Sequence, residues 1–226
     1  AAIESVALAL RPGVQSLSFA VLRSLGQAQA LRVLLAPRQP PAPADALLCS
    51  TLALLCQPEG ELYDTFTLVN QAVEAAKNTA AIRSQASFIN ACLRRFLRER
   101  AWFLGQIERD GTARWNHPLW WITHLQRDWP DQWQALLAAN DRHAPMTLRI
   151  NTRRISREAY CVKLKEMGLD AVPVVTSGLE LNSAVGVHML PGFAEGWVSV
   201  QDAAAQLAAP LLLGETVQEA PRRVLD

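Results

Sequence analysis

The fold is decided by the stretch Met146-Thr-Leu-Arg-Ile-Asn-Thr152, whose apolar and polar residues alternate with the period of two that is typical of a β-strand. Before it, apolar residues recur at helical spacing, interrupted by turns and by a proline-rich loop over residues 37–43. After it, short apolar runs separated by Gly, Ser and Pro indicate further strands. The sequence therefore predicts a helical domain over 1–112, a small α+β domain over 113–200 and the edge of a third domain over 201–226.

The helical part is predicted to contain several helices separated by turns. They are expected over Ser18–Leu35, over Ala46–Leu55 with Asp45 as N-cap, after a cap at Asp64 or Thr65, and over Ile82–Leu104. Pro58-Glu59-Gly60 is predicted to turn the chain. Two short helices are expected after His117-Pro118, separated at Trp129-Pro130.

The α+β part is predicted to begin with the strand over 146–152. A helix over Ser156–Met167 follows, capped by Ser156 and closed by Gly168. Short strands are expected over Ala171–Val175, Leu179–Leu181, Val187–Leu190 and Trp197–Val200. A last helix is expected over Gln201–Leu213, ended by Gly214, and Val224-Leu225 would start a new strand.

One predicted helix combines an apolar stripe with a basic face. At about 100° per residue, the stripe contains Ile82, Ala86, Ile89, Leu93, Phe96 and Leu97. The other side carries Arg83, Arg94 and Arg98, with Arg95 on its flank. Between Lys77 and Arg100 there are six basic residues and one acid, Glu99. A solvated helix face is the default interpretation of this pattern, and an RNA-contacting face formed by Arg83, Arg94, Arg95 and Arg98 is the alternative.

A second basic segment surrounds the first strand. The stretch 142–157 contains no acid and five arginines, which are Arg142, Arg149, Arg153, Arg154 and Arg157. Arg149 and Asn151 are two apart and are expected on the same side of a strand, where they would present a guanidinium and an amide together. Arg149, Asn151 and Arg153 are therefore candidate RNA contacts, and a polar sheet face is the alternative.

Composition excludes several classes of protein. The 226 residues carry 22 basic and 21 acidic side chains, which rules out a global basic field while allowing local patches. No apolar run reaches the roughly 20 residues of a membrane span. The four cysteines have no CxxC spacing and the four histidines are scattered, so we expect no metal site and a reducing compartment, the cytoplasm. Nucleotide-binding and hydrolase motifs are missing, and we expect no catalytic residue in the chain.

Tryptophan is concentrated in one segment, since six of the seven lie between Trp102 and Trp133. Trp129 and Trp133 are four apart and are expected together on a helix. Aromatic side chains can stack nucleic-acid bases. Packing at a domain junction is the more common role and is the one that we expect here.

Four stretches together resemble a known family. They are Ala75-Ala-Lys77 with Phe88-Ile-Asn-Ala-Cys-Leu-Arg-Arg-Phe96, His117-Pro-Leu-Trp-Trp121 with Trp129-Pro-Asp-Gln-Trp133, Leu148-Arg-Ile-Asn-Thr152, and Leu190-Pro-Gly-Phe-Ala-Glu-Gly-Trp-Val-Ser-Val-Gln-Asp-Ala203. The fourth is the most specific, and the set covers most of residues 62–226. The chain resembles the Sun/Fmu (RsmB) branch of the NOL1/NOP2/Sun RNA cytosine-5 methyltransferases.

The resemblance implies a layout and a role. It implies a NusB-like helical bundle, an RRM- or ferredoxin-like α+β unit, and the edge of a Rossmann-like methyltransferase domain starting at Val224-Leu225-Asp226. Gln201, Asp202 and Asp226 would border a site for S-adenosylmethionine. None of the cysteines matches the family's catalytic motifs, so a truncated chain, inactive alone, is expected to be the RNA-recognition half of a 16S-type ribosomal RNA cytosine-C5 methyltransferase. Its expected partner is small-subunit ribosomal RNA, and a monomer is expected.

Two other functions are compatible with the residues. A stand-alone NusB-like RNA-binding or antitermination module would account for residues 1–110 and leave the rest without a role. A helical scaffold that binds protein partners and no RNA is permitted by the balanced net charge.

Overall fold

The computed structural model describes residue 4 and the ranges 6–57 and 63–213. The chain divides into two compact units between Arg142 and His143, which we call the helical unit and the α+β unit. The turn predicted at 58–60, the helix end at Gly214 and the strand predicted at 224–225 lie outside the described residues. No described helix is long and apolar enough to cross a membrane.

The helical unit contains nine described helices. They are α1 (Arg11–Leu22), α2 (Leu25–Leu35), α3 (Ala42–Cys56), α4 (Thr65–Asn78), α5 (Ala86–Arg98), α6 (Arg100–Ile107), α7 (Gly111–Trp115), α8 (Leu119–Asp128) and α9 (Trp133–Asn140). Short 3-10 turns cover Leu8–Leu10 and Ala80–Gln85. The main apolar core of the unit is formed by residues of α2 to α7. Fully buried side chains such as Leu31, Leu48, Ile89 and Phe96 join α2, α3 and α5 in the core.

The helix predicted over 18–35 is wrong, because the chain breaks between α1 and α2 at Ser24. Its φ of −135° is not helical, and its Oγ accepts a hydrogen bond of 2.7 Å from Nε2 of Gln57. The backbone of Gly26 packs so closely on the α7 end that a Cβ there would lie 2.9 Å from the carbonyl oxygen of Thr112. These distant partners stabilise the break.

The helix predicted over 82–104 is also divided. A 3-10 turn precedes α5, and the non-helical ψ of 21° at Glu99 separates α5 from α6. The sequence has no Gly or Pro at this point, so nothing local signals the break. At the break the Arg95 guanidinium contacts both the Glu99 carboxylate, at 3.5 Å, and the Phe103 ring, at 5.3 Å from its centroid.

Of the caps predicted for α3 and α4, the one for α4 is confirmed and the one for α3 is wrong. Asp64 caps α4, accepting a hydrogen bond of 3.0 Å from the backbone N of Thr67, as predicted. The prediction that Asp45 caps α3 is wrong, because α3 starts at Ala42 and tolerates Pro43 in its first turn. The Asp45 carboxylate instead lies 3.0 Å from Nε of Arg32 in a largely buried ion pair.

The α+β unit contains a four-stranded antiparallel sheet in the order β2-β3-β1-β4. The strands are β1 (Met146–Ile150), β2 (Ala171–Pro173), β3 (Gly178–Leu181) and β4 (Val198–Val200), and the helices are α10 (Arg157–Glu166), α11 (Ala203–Gln206) and α12 (Ala208–Leu213). The order is that of a ferredoxin-like unit. Tyr160 and Leu164 of α10 pack on Leu148 and Leu179 of the sheet to form its core.

The local predictions for this unit are mostly confirmed. Ser156 caps α10 by accepting from the backbone N of Ala159 at 3.1 Å, and Gly168 follows the helix with a φ of 71°. The strand predicted over 187–190 is wrong, because Val187–Met189 forms a 3-10 turn and only Leu190 is buried. The helix predicted over 201–213 starts later and is divided into α11 and α12. The domain boundaries at 112 and 200 stay predictions.

Candidate nucleic-acid interface

The basic helix face predicted from the sequence is exposed on α5. The predicted apolar stripe is buried from Ile82 to Phe96, and Leu97 is half-buried. Arg94 and Arg98 lie one turn apart on the opposite side, where both are exposed. The amphipathic spacing therefore directs these two guanidinium groups into solvent.

The four arginines of this region are not equivalent. Nε of Arg83 donates to the backbone oxygen of Lys77 at 2.8 Å, at the end of α4. Nε of Arg94 donates to Oδ1 of Asn90 at 3.0 Å, a neutral partner that leaves its charge uncompensated. Arg95 is paired with Glu99. Arg83, Arg94 and Arg98 form no ion pair with a described carboxylate, so their positive charges remain available to an anion, and Arg94 and Arg98 lie together on α5.

One arginine of the α+β unit, Arg149, lies on the sheet face opposite the core, and others follow the strand. Leu148 and Ile150 point into the core, so Arg149 between them points outward and is exposed beside Ser199 of β4. Arg153 and Arg154 follow the strand and are also exposed. None of these three arginines is paired with a carboxylate of the described residues.

Asn151 has a different role from the one its spacing suggests. The strand ends at Ile150, so the alternation does not reach Asn151. Its Nδ2 donates to the backbone oxygen of Gly196 at 3.0 Å, and its Oδ1 accepts from the backbone N of Arg153 at 3.3 Å. Both ends of the amide are used within the protein, so Asn151 positions the chain around Arg153.

The partner of Asn151 is a tight loop over residues 191–197. Gly192 and Gly196 have φ values of 68° and 71°, a region that favours glycine. A Cβ at Gly192 would overlap the ring of Trp197, and Lys163 lies 5.4 Å from that ring's centroid. The most specific of the family-like motifs is therefore a packed structural loop.

The tryptophan-rich segment is packed only in part. Trp115 and Trp133 are in edge contact, with centroids 4.9 Å apart. The prediction that Trp129 and Trp133 share a helix is wrong, because α9 begins at Trp133. Trp102, Trp120 and Trp129 are more than half exposed. The expectation of packing therefore does not describe these three side chains.

Comparison with known proteins identifies the family. Residues 117–188 match a family model described as "Methyltr_RsmF/B-like, ferredoxin-like domain". The chain is 50% identical, over 61% of its length, to the ribosomal RNA small subunit methyltransferase B of Pseudomonas putida. It is 34% identical, over 85% of its length, to the protein of that name from Klebsiella pneumoniae. The chain belongs to the Sun/Fmu (RsmB) family.

The chain corresponds to only part of each relative. The aligned regions are 31% of the Pseudomonas protein and 45% of the Klebsiella protein, so the chain spans less than half the length of the Sun/Fmu relatives it matches. A solved structure titled "Crystal Structure of PH0851" has a TM-score of 0.64 over 92% of this chain and 48% of that one. At 16% identity it shows a shared fold.

Three cysteines of this Sun/Fmu chain, Cys49, Cys56 and Cys92, lie in settings that favour the protonated thiol. Burial raises the pKa of the Cys49 and Cys92 thiols and raises that of Cys56 to about 11. An activated thiolate requires the opposite shift. Among the described residues, no group of three His, Cys, Asp or Glu side chains could hold a metal ion.

The residues expected to border the S-adenosylmethionine site have structural partners. Oδ1 of Asp202 accepts from the backbone N of Ala204 and Ala205, at 2.8 and 3.4 Å, and so caps α11. Oε1 of Gln201 is buried and has no hydrogen-bond partner among the described residues. Asp226 lies outside the described residues. That these three residues border the cofactor site stays a prediction.

Proposed function

We propose that this chain is the RNA-recognition half of an S-adenosylmethionine-dependent 16S-type ribosomal RNA cytosine-C5 methyltransferase, and that it is inactive alone. The observation that carries the proposal is the set of exposed arginines without carboxylate partners, in a chain whose relatives are named ribosomal RNA small subunit methyltransferase B. The principal members are Arg94, Arg98, Arg149 and Arg153.

The chemistry of these arginines suits RNA phosphate. A guanidinium is always charged and binds two phosphate oxygens at once through its planar fork. Such contacts determine register and orientation on the RNA without reading its sequence. Arg94 and Arg98 form one phosphate-binding patch of the proposed interface, and Arg149 with Arg153 forms another.

We assign RNA binding to this chain and the methyl-transfer chemistry to the rest of the parent enzyme. Burial raises the pKa of the Cys49, Cys56 and Cys92 thiols, and none of the four cysteines matches the family's catalytic motifs, so we place the nucleophile elsewhere in the parent enzyme. Methyl transfer from S-adenosylmethionine to carbon 5 of cytosine belongs to the proposed parent enzyme. The role of the described residues is to hold small-subunit ribosomal RNA in place.

The test is a titration with a small-subunit RNA fragment at fixed salt. We expect Arg94→Ala combined with Arg98→Ala to weaken binding and to reduce the slope of log affinity against log salt by about two. Arg38→Ala is the matched control, because Arg38 is exposed in the proline-rich loop. Equal affinity and slope for the double variant and the wild type would contradict the patch assignment.

A further inference from the structure

The outward face of α8 carries an exposed tryptophan in the first turn of the helix. Ile122 is the buried residue of this helix and Leu125 is half-buried, whereas Trp120, His124 and Arg127 lie on the opposite side at helical spacing. Trp120 is 63% exposed. Tryptophan has a large apolar surface that packing normally covers, so contacts within the helical unit do not account for its position.

Among the described residues, no ring is stacked on Trp120. The Trp121 ring lies 5.6 Å away at an interplanar angle of 70°, and the His124 ring lies 6.2 Å away at 76°. Both are edge arrangements, which leaves the parallel geometry of a stacked base to an incoming group. A surface recess of about 450 Å³ is lined by Leu119, Trp120, Thr123, His124 and Arg127.

Hydrogen bonding determines where His124 can donate. Nη2 of Arg127 lies 3.2 Å from Nδ1 of His124. Because a guanidinium only donates, Nδ1 is the acceptor, and the proton of the neutral imidazole is on Nε2. His124 is exposed, so this N–H is a donor suited to an acceptor atom on the edge of a base.

The charge of Arg127 is balanced on the helix. Its Nε and Nη2 bind the carboxylate of Asp128 at 2.7 and 3.1 Å. The face therefore combines rings and donors with little net charge, which suits an uncharged base better than a phosphate. The core of a protein-docking surface is apolar and poor in charged residues, whereas Thr123, His124 and Arg127 surround this indole.

We propose that Trp120, flanked by His124 and Arg127, stacks an unpaired base of bound RNA. The inference rests on the RNA-binding function proposed above and adds the group that contacts bases. Arg94 and Arg98 of the same unit bind the backbone, and Trp120 binds a base that is free of a duplex. Stacking is sequence-tolerant because every base has a π face.

The experiment compares a single-stranded RNA oligonucleotide with an abasic one of equal length and phosphate number. We expect Trp120→Ala to weaken binding of the base-containing oligonucleotide about 5-fold or more, without changing affinity for the abasic one or the salt slope. Trp120→Phe retains a ring and should recover most of the loss. Trp129→Ala is the matched control, because Trp129 is 54% exposed and lies outside the recess.

The outcomes separate this inference from the function on which it rests. If the wild type binds RNA in a salt-dependent manner and Trp120→Ala binds both oligonucleotides as the wild type does, stacking is overturned and RNA binding stands. A wild type without salt-dependent affinity would overturn both. If Trp120→Ala changes only the mass measured by light scattering, the face mediates self-association and the stacking proposal is wrong. Equal urea midpoints exclude an effect of folding.

Discussion

Oδ1 of Asn116 accepts a hydrogen bond from the backbone N of Gly26 at 2.7 Å, across 90 residues of sequence. The same amide donates through Nδ2 to the backbone oxygen of Leu22, at 3.0 Å, and to Oδ1 of Asp141, at 2.9 Å. One side chain thus ties the α1–α2 junction to the ends of α7 and α9. The φ of 52° at Asn116 directs its side chain toward these partners, and asparagine tolerates this region better than most residues.

We expect Asn116→Ala to lower the free energy of unfolding by about 2–4 kcal/mol, because three hydrogen bonds are lost and a Cβ-bearing residue without local compensation must keep a positive φ. Urea denaturation checks this. Asn116→Gly separates the two causes, since glycine removes the amide without backbone strain. It should be less harmful than alanine by about 1 kcal/mol. Equal losses would show that backbone strain contributes little.

Gly26 is required by close packing. A Cβ there would lie 2.9 Å from the Thr112 carbonyl oxygen and 3.2 Å from the Cα of Asn116, and both are backbone atoms that cannot move alone. We expect Gly26→Ala to cost about 1–3 kcal/mol. Gly105→Ala is the control within α6, where no described atom lies within 4 Å of the added Cβ. That substitution should stabilise the protein by about 0.5–1 kcal/mol. Similar effects at the two sites would contradict the packing explanation.

Helix ends were predicted correctly from the sequence where the capping side chain and its backbone partner are only a few residues apart. Asp64 reaches Thr67 and Ser156 reaches Ala159, so a short window contains both partners. The break at Ser24 depends on Gln57, which no such window includes. For the candidate site, exposure of Arg94 followed from helical spacing, whereas exposure of Trp120 did not, because tryptophan in an amphipathic segment normally indicates packing.

The carboxyl of Asp141 makes the free energy of unfolding depend on pH. Burial raises the pKa of its carboxyl, against the opposing effects of the Asn116 hydrogen bond and of His117 and Arg23. The folded state therefore binds the proton more tightly than the unfolded state. The contribution of Asp141 to stability is largest below the ordinary aspartate pKa of about 3.9 and falls as pH rises through the raised value.

Asp141→Asn keeps an oxygen acceptor for Asn116 and removes the ionisation. We expect the variant to gain stability relative to the wild type as pH rises from about 3.5 toward neutrality. Thermal unfolding of both proteins across this range measures the difference. A difference that is constant with pH, or that moves in the opposite direction, would show that Asp141 is not buried enough to resist ionisation.

Asn151 and Arg149 were expected from the sequence to contact RNA together, and the structure separates their roles. The Asn151 amide is bonded to Gly196 and to the backbone of Arg153, whereas the guanidinium of Arg149 is exposed on the sheet. We therefore expect Asn151→Ala to lower stability by about 1–2 kcal/mol through the lost hydrogen bonds. Arg149→Ala should leave the free energy of unfolding, measured by urea denaturation, within about 0.5 kcal/mol of the wild type.

In RNA binding we expect the reverse of the stability result, with the larger change in Arg149→Ala. Arg149→Ala removes one phosphate contact, so affinity should fall and the salt slope should decrease by about one. Asn151→Ala keeps every arginine, so we expect its salt slope to equal that of the wild type. Titrations at several salt concentrations distinguish the two. Asn151 carries no charge and releases no counterion itself. A reduced slope for Asn151→Ala would therefore mean that the hydrogen bonds of Asn151 to Gly196 and Arg153 are needed to bring Arg153 to the phosphate.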